Sequence, residues 1–299
     1  MGDAVSPRHG PGSWTPTPPP LPAHLREVLE PDDPDWFARE LAIAAAPPWW
    51  FWRHLLGRYS WLLNAVGRVR ITGGIPAELR NGPLLLAVNH IGDFDPFVVA
   101  VALSRAGVAP RMMATGGIMT APVAGPLLER CGGIRVNRGT ELARHAFRLT
   151  EVALAHGGHV VAYPEGRIGL AADGWPERGR TGLARLALAA GVPVVPVSQW
   201  GAQQVLSYAN DWGKLRTLLR SVRRRPLLQV HLGPPVVLDD LQAGRVGDAH
   251  RARMRIAAAI TRGLAPLRAH PEALPWNDRT RPATGTAAYP GGIVPADLP

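Results

Sequence analysis

Short apolar runs alternate with helical patterns along most of the chain, and this alternation limits the folds that the sequence can adopt. The runs lie at residues 84–88, 111–114, 134–136, 159–163, 192–197 and 227–232. Runs that are apolar at successive rather than alternate positions are typical of strands covered on both faces. Repeated strand, helix, strand order therefore predicts an α/β fold, with a largely parallel sheet flanked by helices.

The segments between these runs supply the predicted helices, at residues 96–104, 140–156 and 181–190. In the second of them Leu142, Leu149, Val152 and Ala153 fall on one helical face, and the glycine pair at 157–158 provides a stop. In such folds the functional side chains collect at the carboxyl ends of the strands. Candidate site residues are therefore those that directly follow the apolar runs.

Composition divides the 299 residues into four parts. Residues 1–32 and 269–299 are rich in proline, glycine and small residues without a hydrophobic period, which predicts disordered tails. Residues 33–68 are predicted to be a helical segment, and residues 69–268 to form the α/β domain.

An amphipathic pattern occupies residues 49–69 of the helical segment. Its apolar positions recur at helical spacing from Trp52 to Val66, while Arg53 lies on the polar face. A helix with tryptophans near one end, and too short to cross a bilayer, can lie in a membrane interface. The alternative is that the same face packs on its own domain.

Charge and cysteine content restrict the partners and the compartment. The formal net charge is +10, and Lys214 is the only lysine, so arginine carries nearly all of the positive charge. Guanidinium groups suit phosphate, which favours anionic lipid, phosphorylated substrates or nucleic acid. A basic stripe with interleaved aromatic residues is missing, so we expect no nucleic-acid partner. A single cysteine, Cys131, excludes an internal disulfide, and with no signal-peptide pattern at the start we expect a cytoplasmic location.

A polar loop follows the apolar run at 84–88 and contains the strongest candidate for a catalytic pair. His90 and Asp95 are separated by four residues that include Gly92, and Pro96 follows at the predicted start of a helix. A carboxylate that accepts from one imidazole nitrogen leaves the other nitrogen able to take a proton from a hydroxyl. Two other interpretations stay open. Asp95 can be only a helix N-cap beside a loop histidine, and Asp93 with this pair can form a metal cluster, although no further ligand cluster stands nearby and no metal is expected.

Three later sequence blocks favour the catalytic interpretation of this loop. They stand at Gly133 to Gly139, at Tyr163 to Arg167 and at Val192 to Val197. With His90 to Asp95 they resemble, in order and spacing, the four blocks of the glycerol-3-phosphate and lysophosphatidic acid acyltransferase family, part of the HX4D lysophospholipid acyltransferase superfamily. The resemblance covers about residues 69–238 and identifies residues 69–268 as an acyltransferase domain.

The resemblance implies roles for individual residues. His90 and Asp95 would be catalytic, and Arg138 would bind the acceptor phosphate. Substrate binding would also involve the remaining residues of the blocks, Glu165, Gly166, Arg167, Gly133 and Pro196. The third block departs from the commonest family pattern, because Gly166 is followed by Arg167 and Ile168 rather than by threonine and arginine. This version is similar to that of acylglycerophosphoethanolamine acyltransferases, which leaves the acceptor open.

The sequence thus predicts an enzyme that moves a fatty acyl group from acyl-CoA or an acyl carrier protein to a hydroxyl of a lysophospholipid or glycerol phosphate. No cofactor is expected, and a lipid acceptor places the enzyme at the membrane surface, peripheral on the inner face of the cell membrane. A hydrolase would need a nucleophile, and the sequence has neither a G-x-S-x-G elbow nor a visible activating partner for Cys131. A non-catalytic membrane-binding scaffold is the competing function from a different class.

Overall fold

One mixed sheet organises the computed structural model, which describes residues 34–47, 52, 60–119, 122, 124–136, 143–169, 174–177, 179–206 and 211–268. Within these residues the strands are β1 (Arg68–Gly73), β2 (Leu84–Val88), β3 (Pro110–Thr115), β4 (Ile134–Val136), β5 (His159–Ala162), β6 (Val194–Trp200) and β7 (Leu227–Leu232). Their order across the sheet is β1-β7-β6-β2-β5-β3-β4. Every neighbouring pair is parallel except β6 with β7. The predicted largely parallel α/β fold is confirmed.

The central strand β2 is buried on both faces, as its uninterrupted apolar sequence predicts. Leu84, Leu86 and Val88 point into one core cluster, whereas Leu85 and Ala87 point into a second cluster on the opposite face. Each large side chain buried in this way contributes about 1.5–3 kcal/mol relative to an exposed one. Both clusters therefore hold the loop that follows Val88 in a fixed position.

Helices cover both faces of the sheet. In the described residues they are α1 (Pro34–Ala45), α2 (Ser60–Val66), α3 (Asp95–Arg105), α4 (Gly116–Met119), α5 (Ala124–Arg130), α6 (Ala143–Ala155), α7 (Gly182–Ala190), α8 (Asp211–Arg224) and α9 (Asp248–Leu264). Short 3-10 turns lie at Ala77–Leu79, Ala202–Gln204 and Ala265–Arg268. Helices α2, α3 and α8 pack on the first cluster, and α1, α6, α7 and α9 pack on the second.

The N-terminal segment is tied to the domain more closely than the sequence suggests. Helix α1 packs against α6 and β4, and its Phe37 is buried in the second cluster. The indole N–H of Trp52 donates to the carbonyl of Pro110 at 3.1 Å, and the Trp52 ring packs against Ala100 and Cys131. Phe37 and Trp52 are thus covered by the domain, while the predicted membrane-interface role of the segment stays a prediction.

Helix α2 divides its apolar residues between the core and the surface. Leu63 is buried in the first cluster, while Trp61 and Leu62 are exposed. The predicted 49–69 helix ends at Val66, since residues 68 and 69 already belong to β1. Residues 49–51 and 53–59 of that prediction, and both predicted tails, lie outside the described residues. In the part of the chain that the structure describes, no helix combines the length and apolar character needed to cross a membrane.

Candidate active site

Two loops meet at the carboxyl edge of the sheet, one after β2 and the other after β5. These strands are hydrogen-bonded neighbours and run in parallel, so their carboxyl ends lie side by side. The first loop carries His90, and the second begins at Tyr163 and contains Glu165. The carbonyl of His90 accepts the N–H of Gly169 at 2.7 Å, which joins the two loops directly. This is the edge at which a site was predicted.

His90 and Asp95 form the predicted pair. The Nδ1 atom of His90 lies 2.9 Å from Oδ2 of Asp95, whose side chain is fully buried. The same Oδ2 atom accepts the backbone N–H groups of Ile91 at 2.6 Å and Gly92 at 2.9 Å. Because three donors converge on one oxygen, the carboxylate is fixed, and with it the orientation of the imidazole. The other ring nitrogen, Nε2, is left to accept a proton.

The predicted N-cap role of Asp95 is wrong. Asp95 is the first residue of α3, and Phe94 occupies the cap position without a side-chain cap bond. The carboxylate instead accepts the amides of its own loop, those of Ile91 and Gly92. Asp95 therefore organises the loop around His90 rather than the end of the helix.

Asn89 anchors the loop to the neighbouring strand, a contact that the sequence did not reveal. Its side-chain oxygen accepts the N–H of Gln199 at 2.8 Å, and its amide nitrogen donates to the carbonyl of Gln199 at 3.0 Å. Both side chains are fully buried. Two hydrogen bonds to the backbone of β6 thus fix the residue immediately before His90, and its position directly after β2 was the only available signal.

Tyr163 packs directly on the catalytic histidine candidate. The two rings are stacked, with centroids 4.1 Å apart and planes inclined by 23°. Burial raises the pKa of the Tyr163 phenol well above its usual value, and the nearby Asp95 adds to this effect. The phenol therefore stays neutral and serves as one wall for the imidazole. Its place at the carboxyl end of β5 could have identified it.

Glu165 lies beneath the loop of His90. Its Oε1 atom accepts the backbone N–H of His90 at 3.0 Å, and its Oε2 atom accepts that of Glu177 at 3.2 Å. Burial raises the pKa of Glu165 from its ordinary value of 4.5 to about 8, and the two backbone donors only partly oppose this effect. The structure thus gives Glu165 a positioning contact with His90, while its sequence-predicted substrate-binding role stays a prediction.

The buried Glu165 carboxyl should make stability depend on pH. Between about pH 4.5 and 8 the folded protein holds a proton that the unfolded chain has released, so stability falls as pH rises through this range. The expected slope from one such group is about 1.4 kcal/mol per pH unit. Glu165→Gln cannot titrate, so the difference in unfolding free energy between wild type and variant should decrease from pH 5 to pH 8. Urea unfolding at several pH values measures this difference.

The exposed control is Glu78→Gln, whose unfolding free energy should change with pH in the same way as that of the wild type. If the unfolding free energy of Glu165→Gln also followed that of the wild type at every pH, the raised pKa of Glu165 would be contradicted.

Gly166 and Arg167 lie in the same loop as Glu165. Gly166 has a positive φ of 69°, which favours glycine, and its N–H donates to the carbonyl of Tyr163 at 2.9 Å. The guanidinium of Arg167 forms an ion pair with Glu177 at 2.8 Å. Gly166 thus shapes the turn beside the site, and Arg167 in this structure faces Glu177.

Gly133 and Pro196 do not meet the His90–Asp95 pair. Gly133 directly precedes β4 and lies against the carbonyl of Leu128. A side chain does not fit there, because an added Cβ would lie 2.8 Å from that carbonyl oxygen. Pro196 lies within β6 opposite Ala87, and it lines a cleft of about 840 Å³ beneath α9. Arg138 lies outside the described residues. The substrate-binding roles of these three residues stay predictions.

Metal and thiol chemistry find no support in the described residues. No group of three or more histidine, cysteine, aspartate or glutamate side chains is placed there to hold a metal ion. Cys131 is buried, and burial raises the pKa of its thiol to about 12. Because the thiolate is the reactive form, this cysteine is a poor nucleophile, and the hydrolase interpretation loses its remaining candidate.

Comparisons with known proteins identify the family. A family model described as Acyltransferase matches residues 68–200, from the start of β1 to the end of β6. These residues belong to the Acyltransferase family. The chain is therefore an acyltransferase, and His90, Asp95 and Glu165 all lie within the matched segment. The predicted family and enzyme class are confirmed.

Solved structures extend the similarity beyond the matched segment of the acyltransferase. The crystal structure of the 1-acyl-sn-glycerophosphate (LPA) acyltransferase PlsC from Thermotoga maritima superposes with a TM-score of 0.53 at 18% identity. The match covers 82% of this chain and 87% of that chain. At this identity the likeness shows a common fold. Among curated proteins, none matches the sequence significantly.

Proposed function

We propose that this acyltransferase moves a fatty acyl group from an acyl thioester to a hydroxyl of a lysophospholipid or glycerol phosphate. The observation that carries the proposal is the His90–Asp95 pair: a buried carboxylate bound to Nδ1, with Nε2 left as the base. Such a pair suits removal of a proton from a hydroxyl. His90 retains 12% side-chain exposure, so a substrate can reach it from the carboxyl edge of the sheet.

The proposed reaction balances without a covalent acyl-enzyme. His90 Nε2 takes the proton of the acceptor hydroxyl while the oxygen attacks the thioester carbonyl carbon, which gives a tetrahedral intermediate. Collapse of this intermediate breaks the C–S bond, and the departing sulfur takes the proton from the imidazolium. Asp95 stabilises the imidazolium between these steps. Holding both substrates in one complex supplies much of the rate through orientation.

The acceptor that we propose first is 1-acylglycerol-3-phosphate. Two observations support it: the order of the four sequence blocks, and the fold shared with a protein named as a 1-acyl-sn-glycerophosphate acyltransferase. Acylglycerophosphoethanolamine and other lysophospholipids are the alternative acceptors, favoured by the sequence Gly166-Arg167-Ile168. The proposed donor is acyl-CoA or an acyl carrier protein, without a cofactor. A lipid acceptor implies work at the membrane, and we propose the inner face of the cell membrane.

A panel of acceptors and donors tests the proposal directly. Purified full-length protein is incubated with acyl-CoA or acyl carrier protein thioesters and with glycerol 3-phosphate or lysolipids of different head groups. Mass spectrometry should detect a new ester whose mass equals that of the acceptor plus the fatty acid minus water. Release of free fatty acid without any ester would instead identify a thioesterase and overturn the proposal.

Arg138 is expected to distinguish phosphorylated acceptors from the other substrate. Arg138→Ala should raise the KM for 1-acylglycerol-3-phosphate by about 10- to 100-fold, because a charge-assisted hydrogen bond is worth about 1.5–3 kcal/mol. The KM for the acyl thioester should change little. Steady-state kinetics with each substrate varied in turn measures both effects.

The matched control for this experiment is Arg130→Ala, because Arg130 is exposed at the end of α5. This variant should leave both Michaelis constants unchanged. Equal impairment for both substrates in Arg138→Ala would identify Arg138 as a structural residue and remove the support that it gives to a phosphorylated acceptor.

A further inference from the structure

Helix α8 presents an apolar outer face that the domain does not cover. Trp212 is 80% exposed and Leu219 is 64% exposed, and Leu215 and Val222 are exposed beside them. The inner face is ordinary: Leu218 packs on the first core cluster and Ser221 is buried. Clusters of large exposed apolar side chains are typical of surfaces that bind a protein, a membrane or a ligand.

Arginines adjoin this apolar stripe. At 100° per residue the four apolar side chains fall within an arc of about 80°, and four arginines fall in the next arc of about 100°. The arginines are Arg216, Arg220, Arg223 and Arg224. All four are exposed, and among the described residues none of them forms an ion pair with a carboxylate. The outer face thus combines an apolar half with a cationic half along the whole helix.

The position of α8 links this face to the active site. The ammonium group of Lys214 forms an ion pair at 2.7 Å with Asp93, which lies in the loop between His90 and Asp95. Helices α3 and α8 both contact the turn Ala202–Gln204. The outer face of α8 therefore lies on an element that touches the catalytic loop.

Helices α2 and α3 also expose large apolar side chains. Helix α2 packs against α8, and its Trp61 and Leu62 are exposed. At the start of α3, two residues after Asp95, Phe97 is 59% exposed. Helices α2, α3 and α8 thus all expose large apolar side chains.

We propose that the outer face of α8 docks the enzyme on an anionic lipid bilayer. Aligned apolar and arginine stripes match a bilayer surface, since acyl chains receive the apolar side chains while anionic head groups attract the guanidinium groups. Docking holds the catalytic loop next to the layer that contains a lipid acceptor. The inference extends the proposed function, because it names the surface by which the enzyme reaches its acceptor.

Vesicle flotation with full-length protein tests the proposal. One variant replaces three apolar residues, Trp212→Ser with Leu215→Ser and Leu219→Ser. A second replaces three arginines, Arg216→Gln with Arg220→Gln and Arg223→Gln. The probes are vesicles of phosphatidylcholine alone and vesicles in which about a third of the lipid is phosphatidylglycerol.

We expect the apolar variant to lower the vesicle partition coefficient at least tenfold on anionic vesicles. The arginine variant should lower it similarly on anionic vesicles and leave the weaker binding to neutral vesicles unchanged. Matched controls change exposed residues elsewhere: Val237→Ser with Val246→Ser, and Arg105→Gln with Arg185→Gln and Arg245→Gln. Both controls should float like the wild type. Melting temperatures verify that each variant is folded.

Activity on a short-chain, water-soluble acceptor separates this inference from the proposed function. If the variants lose flotation but keep this activity, the docking face is supported. If activity is lacking even in the wild type while flotation follows the expected pattern, only the proposed function fails. Unchanged flotation of both folded variants would overturn the docking face. The docking face would also be overturned if vesicle binding stayed intact while the apolar variant changed from dimer to monomer. The same holds if vesicle binding stayed intact while the arginine variant lost DNA binding.

Discussion

His90→Ala is expected to lower kcat for acyl transfer by about 10²- to 10⁴-fold, the usual cost of removing a general base. The loss should be large because Nε2 of His90 is the ring nitrogen left to take the proton once Nδ1 is bound to Asp95. The domain should stay folded, since the His90 backbone supplies the contacts with Glu165 and Gly169, and alanine keeps them. Ester formation is followed by mass spectrometry, and folding by thermal melting.

The control for this variant is His250→Ala, because His250 lies on α9, which packs over the opposite face of the sheet from α3. It should turn over at the wild-type rate. A folded His90→Ala protein with near-normal kcat would show that another group accepts the proton, and it would remove His90 from the mechanism.

Asp95→Asn is expected to be nearly as severe, with a loss of about 10²- to 10⁴-fold in kcat. An amide oxygen can still accept the N–H groups of Ile91 and Gly92, but it carries no charge to stabilise the imidazolium. The Oδ1 atom of Asp95 is buried without a hydrogen-bond partner among the described residues. The amide nitrogen placed there would be an unsatisfied donor, which should cost about 1–3 kcal/mol of stability.

The matched control is Asp93→Asn, the same chemical change two residues earlier in the same loop. Asp93 pairs with Lys214 at a half-buried position, where an ion pair contributes at most about 1 kcal/mol, so turnover should change only a few-fold. Assays well below the melting temperature of each variant separate chemistry from stability. If Asp95→Asn were as active as Asp93→Asn, the carboxylate would have only a structural role.

The central strands were predictable because a strand buried on both faces has a continuous apolar sequence. The predicted run at 84–88 coincides with β2, since a strand covered on both faces must be apolar throughout. The run at 227–232 coincides with β7, although burial alternates along this strand and Gln229 and His231 are only partly buried. Strand β1 was missed. It lies at the edge of the sheet, and Arg68 and Arg70 alternate with apolar residues, so its sequence lacks a continuous apolar run.

The direction of β7 could not be predicted. It runs antiparallel to β6 and parallel to β1, and nothing in its own sequence indicates either direction. Strand direction depends on the path of the connection rather than on the strand itself. Here the long helix α8 returns the chain to the carboxyl edge, and no local pattern encodes that path.

The site was predictable where its residues are close in sequence. His90 and Asp95 belong to one loop, so a buried run followed by polar residues made them candidates, and the resemblance carried by the later blocks favoured a catalytic role. Contacts between distant parts of the chain were not. Asn89 meets Gln199 across 110 residues, and the stacking of Tyr163 on His90 depends on β5 being the neighbour of β2. Only the strand order creates these contacts.

A double-mutant cycle on ester formation tests the central claim, that Asp95 acts through His90 in acyl transfer to a hydroxyl. The values of kcat/KM are compared for wild type, His90→Ala, Asp95→Asn and the double variant, with the ester product identified by mass. We expect the double variant to be no slower than His90→Ala, because Asp95 has nothing to orient once the imidazole is removed. Losses that multiply in the double variant, or ester formation that persists in folded His90→Ala, would contradict the mechanism.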